Sequence, residues 1–221
     1  MKNREIDYWN SLWQGPDLGV QWKHRAAAAL VEHQPVLDIG CGAGHFLDAL
    51  RQRGLEKLVG CDLALSSAKA LSARGLPALC CDAERSLPFP DRHFAAVALI
   101  DVLEHTFEPE RVLAEAARVA REIVLVVPNF NSVTARYQVL GGGVPENNTP
   151  RKRHAYWFNY AGLKKLIASL GLELVSERFH TFKYQSPLLG PPFRLLGRLR
   201  PQLFSLAFAL RVRVPARGSA D

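Results

Sequence analysis

Hydrophobic residues along this chain fall into short runs that alternate with stretches of helical spacing. The clearest run, Phe94–Ile100, is apolar at every position, which is typical of a parallel strand buried on both faces. Shorter runs predict further strands at Val36–Ile39, Lys57–Cys61, Ala78–Cys81, Ile123–Val127 and Leu172–Phe179. The alternation of arginine and valine that ends Phe204–Val214 predicts a final strand at an edge of the sheet.

Between these runs, apolar residues recur at the spacing of helices. Pro109 suits the first turn of a helix. Val112, Leu113 and Ala116 then keep one apolar face at helical spacing. Further helices are predicted at about Gly44–Arg53, Leu65–Arg74 and Tyr160–Leu170. Strands that alternate with helices in this way predict βαβ units, and therefore an α/β domain whose parallel sheet is covered by helices on both faces.

Three segments depart from this alternation. The N-terminal segment carries Trp9, Trp13 and Trp22, and we expect it to fold back over the mouth of the site. A later segment combines three consecutive glycines with basic and aromatic residues, which is typical of a functional insertion. We therefore predict one domain over 1–221, with an aromatic cap, a lid insertion and a basic, proline-rich connector at 1–30, 129–159 and 181–203.

The net charge of +7 is concentrated near the C-terminal end. From Lys183 onward there are seven basic residues and one acid. Such a patch could meet an acidic partner, a membrane surface or an anionic substrate, or it could be an ordinary solvated surface. The first residues hold no apolar run, and the longest apolar stretches are far shorter than the ~20 residues of a bilayer span. We therefore expect a cytoplasmic protein.

The segment Val36–Phe46 holds the most specific pattern in the chain. A short strand runs into glycines at 40, 42 and 44, which let the backbone turn sharply and approach a ligand closely. The dinucleotide fingerprint G-x-G-x-x-G would need its third glycine at His45. Here that glycine comes one residue early, and Asp38 precedes the turn. An acid at this point suits a cationic ligand better than a pyrophosphate.

An aspartate stands at or near the end of each of the first four predicted strands. These residues are Asp38, Asp62, Asp82 and Asp101. Ligands of open α/β sheets bind at the carboxyl ends of the strands. An acid after the second strand can accept hydrogen bonds from both ribose hydroxyls, and Asp82, followed by Ala83, can accept one from the exocyclic amine of adenine. The four acids together with the glycine turn indicate an adenosine ligand.

These motifs resemble those of class I S-adenosylmethionine (SAM)-dependent methyltransferases, whose cofactor carries a sulfonium and an amino group. The resemblance covers about residues 30–180 and includes Leu87–Asp91 and Asp101–His105, which are similar to the broad small-molecule group (type 11/23-like) of this superfamily. A looser similarity, through Pro128–Phe130, the glycine run and the region of His154 and Tyr156, is to the MetW proteins associated with methionine biosynthesis.

The resemblance implies SAM as the cofactor and a Rossmann-like, doubly wound fold. Its sheet would be mostly parallel and seven-stranded, with an antiparallel last strand and helices on both faces. The residues implied to bind the cofactor are Asp38, Gly40, Cys41, Gly42, Gly44, Asp62, Leu63, Asp82, Ala83, Asp101, Val102 and His105.

A general base is needed only if the methyl acceptor must lose a proton. His105 is the first candidate, at the floor of the acceptor cavity, and His154 and Tyr156 on the predicted lid follow. Asp101, Glu104 and His105 also have the spacing of a metal-binding motif found in some methyltransferases, with His154 as a fourth ligand. Because this spacing is widespread without a metal, we predict no metal ion.

The sequence favours an enzyme that transfers a methyl group from SAM to an oxygen, nitrogen or carbon atom of a small molecule. A SAM-binding partner that regulates another biosynthetic enzyme is an alternative from a different class. Methylation of RNA is a third, for which the basic pI is the main argument, although no specific nucleic acid is expected. The segment Pro187–Leu210 could instead contact a membrane peripherally and admit a lipidic acceptor, or simply connect the last two strands.

Overall fold

A computed structural model describes Tyr8, Asn10 and residues 19–145, 148–149, 152–181 and 186–216. Seven strands form one sheet: β1 (Val36–Ile39), β2 (Leu58–Asp62), β3 (Ala78–Cys80), β4 (Phe94–Ile100), β5 (Ala120–Pro128), β6 (Glu173–Thr181) and β7 (Ser205–Arg213). The α-helices that lie within the described residues are α1 (Trp22–Ala28), α2 (His45–Arg51), α3 (Leu65–Ala73), α4 (Pro109–Val119), α5 (Val133–Leu140), α6 (Tyr160–Ser169), α7 (Gly190–Leu199) and α8 (Pro201–Phe204). A single 3₁₀ turn, Leu103–His105, follows β4.

The strand order is β3-β2-β1-β4-β5-β7-β6. The first five strands are parallel, and β7 lies antiparallel between β5 and β6. The chain therefore moves outward from β1 to β3 and then returns to place β4 on the other side of β1. That reversal is the position at which open α/β sheets bind ligands. The expected Rossmann-like fold, with its mostly parallel seven-stranded sheet and antiparallel last strand, is confirmed.

The sheet has an apolar core on each face. Leu37 and Ile39 of β1 lie in the core that α4 and α6 cover, whereas Val36 lies in the core that α1 and α2 cover. Successive side chains of a strand point to opposite faces, so a strand covered on both sides is apolar at nearly every position. This requirement explains why β1 and β4 begin and end where the hydrophobic pattern predicts.

The prediction that the last strand lies at an edge is wrong. Strand β7 is hydrogen-bonded on both sides, and the edge strand is β6. The alternation of arginine and valine suggested one solvent-exposed face, but Arg211 is buried and paired with Glu32 and Glu122. Arg213, which lies beside it on the same strand, pairs with Glu173.

Two of the segments that depart from the predicted alternation of strands and helices contain helices. The predicted lid insertion holds α5, whose first turn is capped by the Ser132 hydroxyl accepting a hydrogen bond from the Ala135 amide at 3.3 Å. Only Ala135 of this helix is buried, so its sequence carries little helical periodicity. The predicted connector holds α7 and α8 between β6 and β7. No helix in the described part of the chain combines the length and the apolar character that crossing a membrane requires.

The internal position of β7 leads to a stability prediction. Phe208 of β7 is fully buried, and its ring centroid lies 5.3 Å from that of Tyr160 and 6.3 Å from that of Phe179. Replacing Phe208 by Ala should lower the free energy of unfolding by about 3–5 kcal/mol, because the cavity it leaves cannot refill. Urea denaturation measures this change. The control Phe107→Ala, at a side chain that is 64% exposed, should shift it by about 0.5 kcal/mol or less.

Candidate functional site

The turn after β1 is held against the end of β2 by its own backbone. The amides of Gly40 and Cys41 both donate to the carbonyl of Cys61, at 2.8 and 3.0 Å. Gly40 has a φ of 70°, and a Cβ there would lie 2.6 Å from Cγ2 of Val102. Glycine is therefore required at this position both by the backbone conformation and by the close approach of the loop after β4.

Asp62, at the end of β2, ties this turn to the start of the next loop. Its carboxylate accepts hydrogen bonds from the amides of Gly42 and Ala64, each at 2.8 Å. Burial raises the pKa of Asp62, and the hydrogen bonds that the amides of Ala64 and Gly42 donate to it counteract part of that shift. Two amides use only part of the acceptor capacity of a carboxylate, which has about four lone-pair sites. The residue can thus hold the loop and still accept hydrogen bonds from a ligand.

The side chain of Asp38 is almost fully buried. It is 2% exposed, and burial raises the pKa of its carboxyl well above the usual range, with a further contribution from the charge of Asp62. A positively charged group brought near these two carboxyls would favour their ionised forms. The expectation that Asp38 suits a cationic ligand stays a prediction, and the burial of this carboxyl next to Asp62 is consistent with it.

Asp101 follows β4 and faces a residue that sequence reasoning missed. Its Oδ2 lies 2.6 Å from Nζ of Lys23 in α1, and both side chains are about one third exposed. The backbone of Asp101 has a φ of 53°, which is uncommon for a residue other than glycine. Nothing in the local sequence of Lys23 marks it as part of the site, because α1 reaches this edge only through the packing of the sheet.

The other predicted cofactor-binding residues lie at the same edge. Asp82 accepts a hydrogen bond from the amide of Glu84 at 3.1 Å and pairs with Arg85 at 3.4 Å. Three neighbouring predicted positions are half-buried: Leu63, Ala83 and Val102. Gly44 ends the turn with a φ of 83° and precedes the first residue of α2. The structure thus brings the ends of β1 to β4 together as the sequence predicts.

A second group of side chains lies beside this edge. Side-chain ligand atoms of Glu104, His105 and His154 lie within 4.8 Å of one another, and the two imidazole centroids are 4.7 Å apart. Glu104 is buried, and its Oε2 has no hydrogen-bond partner among the described residues. These three residues could hold a divalent cation. Asp101, the first residue of the metal-binding spacing, does not belong to the group and pairs with Lys23 instead.

The ionisation of this group is set mainly by burial. Burial raises the pKa of Glu104 well above its usual range, and the charge of Asp101 adds to the effect. Burial, with a contribution from His154, lowers the pKa of His105 to about 4. The two shifts have one cause, since each favours the uncharged form of a group removed from water. The lowered pKa favours the uncharged imidazole of His105 at neutral pH.

The lid insertion is joined to this group through its backbone. The carbonyl of Glu104 accepts hydrogen bonds from the amides of Ala155 and Tyr156, at 2.7 and 3.1 Å. The ring of Tyr156 is stacked against Phe158, with centroids 6.0 Å apart, so this residue contacts the group through its amide. His154 packs edge-on against Phe130, with centroids 5.3 Å apart.

Two described residues of the N-terminal segment contact the surroundings of the site. The guanidinium of Arg153 lies 3.8 Å from the centroid of the Tyr8 ring. Asn10 accepts hydrogen bonds from the amide and the hydroxyl of Ser66, in the first turn of α3, at 3.2 and 2.9 Å. Trp22 stacks on His180 at 4.6 Å, whereas Trp9 and Trp13, which the predicted cap includes, lie outside the described residues.

Comparisons with known proteins agree with this geometry. The family model described as "Methionine biosynthesis protein MetW" matches residues 23–181. A bifunctional methionine biosynthesis protein MetXA/MetW from Rhodopirellula baltica is 29% identical over 163 residues, which cover 65% of this chain and 26% of that protein. A ubiquinone biosynthesis O-methyltransferase from Bordetella avium is 26% identical over 148 residues, covering 63% of this chain and 61% of the relative. The matched region therefore spans less than two thirds of the length of either relative.

The fold also occurs among solved methyltransferase structures. Magnesium protoporphyrin IX methyltransferase from Synechocystis PCC 6803, solved with bound SAH, superposes with a TM-score of 0.66 at 18% identity, covering 97% of this chain and all of that one. The recognition made from the sequence motifs is confirmed, and SAM as the expected cofactor agrees with it. The match over residues 23–181 decides the assignment: this chain belongs to the MetW family, within the class I SAM-dependent methyltransferase superfamily.

Proposed function

We propose that this protein binds SAM at the carboxyl ends of β1 to β4 and transfers its methyl group to a small molecule held beside Glu104, His105 and His154. The observation that carries this proposal is the Asp62 carboxylate, which binds the glycine turn through the Gly42 amide at 2.8 Å. The Asp62 side chain therefore has two roles in this proposal. It holds the glycine turn that the cofactor approaches, and it accepts hydrogen bonds from the ribose hydroxyls.

The residues at this edge fit the chemical groups of SAM. Asp62 has acceptor capacity left for a ribose diol after binding two amides. Asp38 is buried next to it, and its raised pKa implies that a nearby amino group or sulfonium would stabilise its ionised form. The close approach of Gly40 to Val102 leaves no space for a side chain in the turn. We assign adenine to the half-buried edge formed by Asp82 and Ala83.

When bound, SAM supplies a methyl group activated by its sulfonium. The protein then has to align the acceptor atom with the methyl carbon and the sulfur, and such positioning can contribute ~7–11 kcal/mol in favourable cases. In this proposal the acceptor is positioned by three side chains beside the cofactor edge, those of Glu104, His105 and His154. If the acceptor is a hydroxyl, His105 is the first candidate to take its proton as the bond to the methyl carbon forms; burial, which lowers its pKa to about 4, makes it a weaker base than an exposed histidine. His154 and Tyr156 remain further candidates for this role.

A small-molecule acceptor is supported by the relatives named ubiquinone biosynthesis O-methyltransferase, which match this chain at 26–31% identity. We propose that the acceptor is held under the lid insertion and the N-terminal cap. The contacts that support this arrangement run from Tyr8 to Arg153, from Asn10 to Ser66 and from Glu104 to Ala155. A cytoplasmic location, which cell fractionation would test, belongs to the same proposal.

A second candidate is a SAM-binding partner that regulates another enzyme. The relative in Rhodopirellula baltica carries MetXA and MetW in one chain, so a MetW-like region occurs there covalently joined to a second biosynthetic protein. The insertion also exposes several large apolar side chains that a partner protein could cover: Tyr137, Val139, Leu140, Val144 and Trp157. In this alternative SAM is bound but its methyl group is not transferred.

Asp62→Ala should weaken SAM binding by about 10- to 100-fold, because hydrogen bonds to a charged acceptor contribute about 1.5–3 kcal/mol and the glycine turn loses its anchor. Isothermal titration calorimetry on the folded variant measures this loss. Asp91→Ala removes an exposed acid outside the site and should leave the affinity unchanged. Equal binding by the two variants would remove Asp62 from the cofactor site.

The lowered pKa of His105 gives a pH prediction. Because the folded-state pKa lies below the unfolded value near 6.5, the contribution of His105 to stability is complete above that pH and is lost as the pH falls toward about 4. His105→Gln should therefore flatten the fall in the free energy of unfolding between about pH 7 and 5 by about 1–2 kcal/mol. Urea titrations at several pH values measure it, with His33→Gln at an exposed position as the control. An unchanged slope contradicts the buried, uncharged state.

The choice between enzyme and partner requires a direct assay. The purified protein is incubated with a cell extract and SAM that carries a labelled methyl group, and labelled products are identified by mass spectrometry. The enzyme proposal predicts a labelled small molecule that is absent with Asp62→Ala. Intact binding of SAM without any labelled product, together with copurification of a biosynthetic enzyme, supports the partner candidate and contradicts the first.

A further inference from the structure

Helix α7 packs on the sheet through a glycine face. Gly190 and Gly197 are its two buried residues and stand two helical turns apart, so they lie on one side of the helix. At Gly197 a Cβ would lie 2.4 Å from Cγ2 of Thr181, at the end of β6. Gly197 thus brings the helix backbone against the end of the strand, and Phe193 is the one larger side chain of α7 that is half-buried.

The opposite side of α7 and the turn before it expose leucines. These residues are between 37% and 82% exposed: Leu188, Leu189, Leu195, Leu196 and Leu199. Leu195 and Leu199 are one turn apart and share the side of α7 away from the glycines, and Leu188 and Leu189 precede the helix in the turn. Scattered exposed leucines are ordinary on a protein surface, but here five lie within one twelve-residue stretch, which we call the leucine strip.

Arginines border the leucine strip. By the 3.6-residue period, Arg194 and Arg198 lie between the glycine face and the leucines on one flank of α7, and Arg200 follows the last helical residue. All three are exposed. Residues 178–220 contain no Asp or Glu, so this part of the sequence is uniformly basic. A helix with a leucine face bordered by basic residues is the arrangement that lies in the interface of an anionic membrane.

The helix also lies at the edge of the sheet that carries the site. Thr181 at the end of β6 pairs with Ser205 at the start of β7, and the side-chain amide of Asn129, beyond β5, donates to the Ser205 carbonyl at 2.7 Å. The carboxyl ends of β5 and β6 point the same way as those of β1 and β4. A partner surface that binds α7 would therefore contact the protein at the edge of the sheet where Asp38, Asp62 and Asp101 lie.

We propose that α7 is a membrane-surface helix that docks this protein on an anionic lipid bilayer. The leucine strip enters the boundary between headgroups and acyl chains. The arginines on its flanks extend their apolar stems along this boundary and place their guanidinium groups against lipid phosphates. This docking is independent of whether the protein transfers a methyl group or only binds SAM.

The test is vesicle flotation with the purified protein at physiological salt. The protein should float with vesicles of phosphatidylcholine mixed with phosphatidylglycerol, and much less with phosphatidylcholine alone. The double variant Leu195→Ser/Leu199→Ser should lower the partition coefficient by about tenfold or more, because it removes apolar surface from the interface. Arg194→Gln/Arg198→Gln should lower binding to the anionic vesicles to a similar extent and abolish its dependence on salt.

The matched control is Leu140→Ser, which changes an exposed leucine on α5. It should partition like the unchanged protein, and all variants should keep the circular dichroism spectrum and the SAM affinity of that protein. Failure of the unchanged protein to bind anionic vesicles, or equal binding by the Leu195→Ser/Leu199→Ser variant, overturns the proposal. Sedimentation velocity supplies the other decisive outcome: self-association that this variant abolishes assigns the leucine strip to a second copy of the chain.

Discussion

The hydrogen bond from the Gly42 amide to the Asp62 carboxylate is the contact on which the site depends. It joins the turn after β1 to the end of β2, and the second carboxylate oxygen fixes the following loop through Ala64. A glycine turn has many accessible conformations when it is unconstrained, so a loop of this kind needs an anchor to present a defined surface. The parallel pairing of β1 with β2 places that anchor directly beside the turn.

The same edge of the sheet concentrates carboxyl groups that water does not reach. Asp38 and Glu104 are almost fully buried, and burial raises the pKa of each. Such groups are expensive to ionise alone, and a cation nearby lowers that cost. Lys23 supplies one positive charge, which it shares with Asp101. The fold thus places several carboxyl groups at this edge before a ligand binds, and these groups favour a positively charged ligand.

Particular elements explain where sequence reasoning succeeded and failed. Strands β1 and β4 were located at both ends, because a strand covered on both faces must be apolar throughout. Helix α5 was missed because it buries only Ala135. Strand β7 was misplaced at an edge because its alternating pattern resembles a half-exposed strand, while in the fold Arg211 is neutralised by Glu32 and Glu122. A hydrophobic pattern predicts which positions are buried. That prediction fails where a charged side chain is buried with partners from distant segments.

The sequence by itself determined the α/β alternation, the glycine turn and the acids at the strand ends, because each follows from local spacing that the backbone imposes. Only the tertiary structure decided that Lys23 pairs with Asp101, and that Asp101 therefore stays outside the group formed by Glu104, His105 and His154. These contacts join segments far apart in the chain, and their distances depend on how α1 and the insertion pack against the sheet. No periodicity encodes such packing, since it results from the simultaneous fit of many side chains.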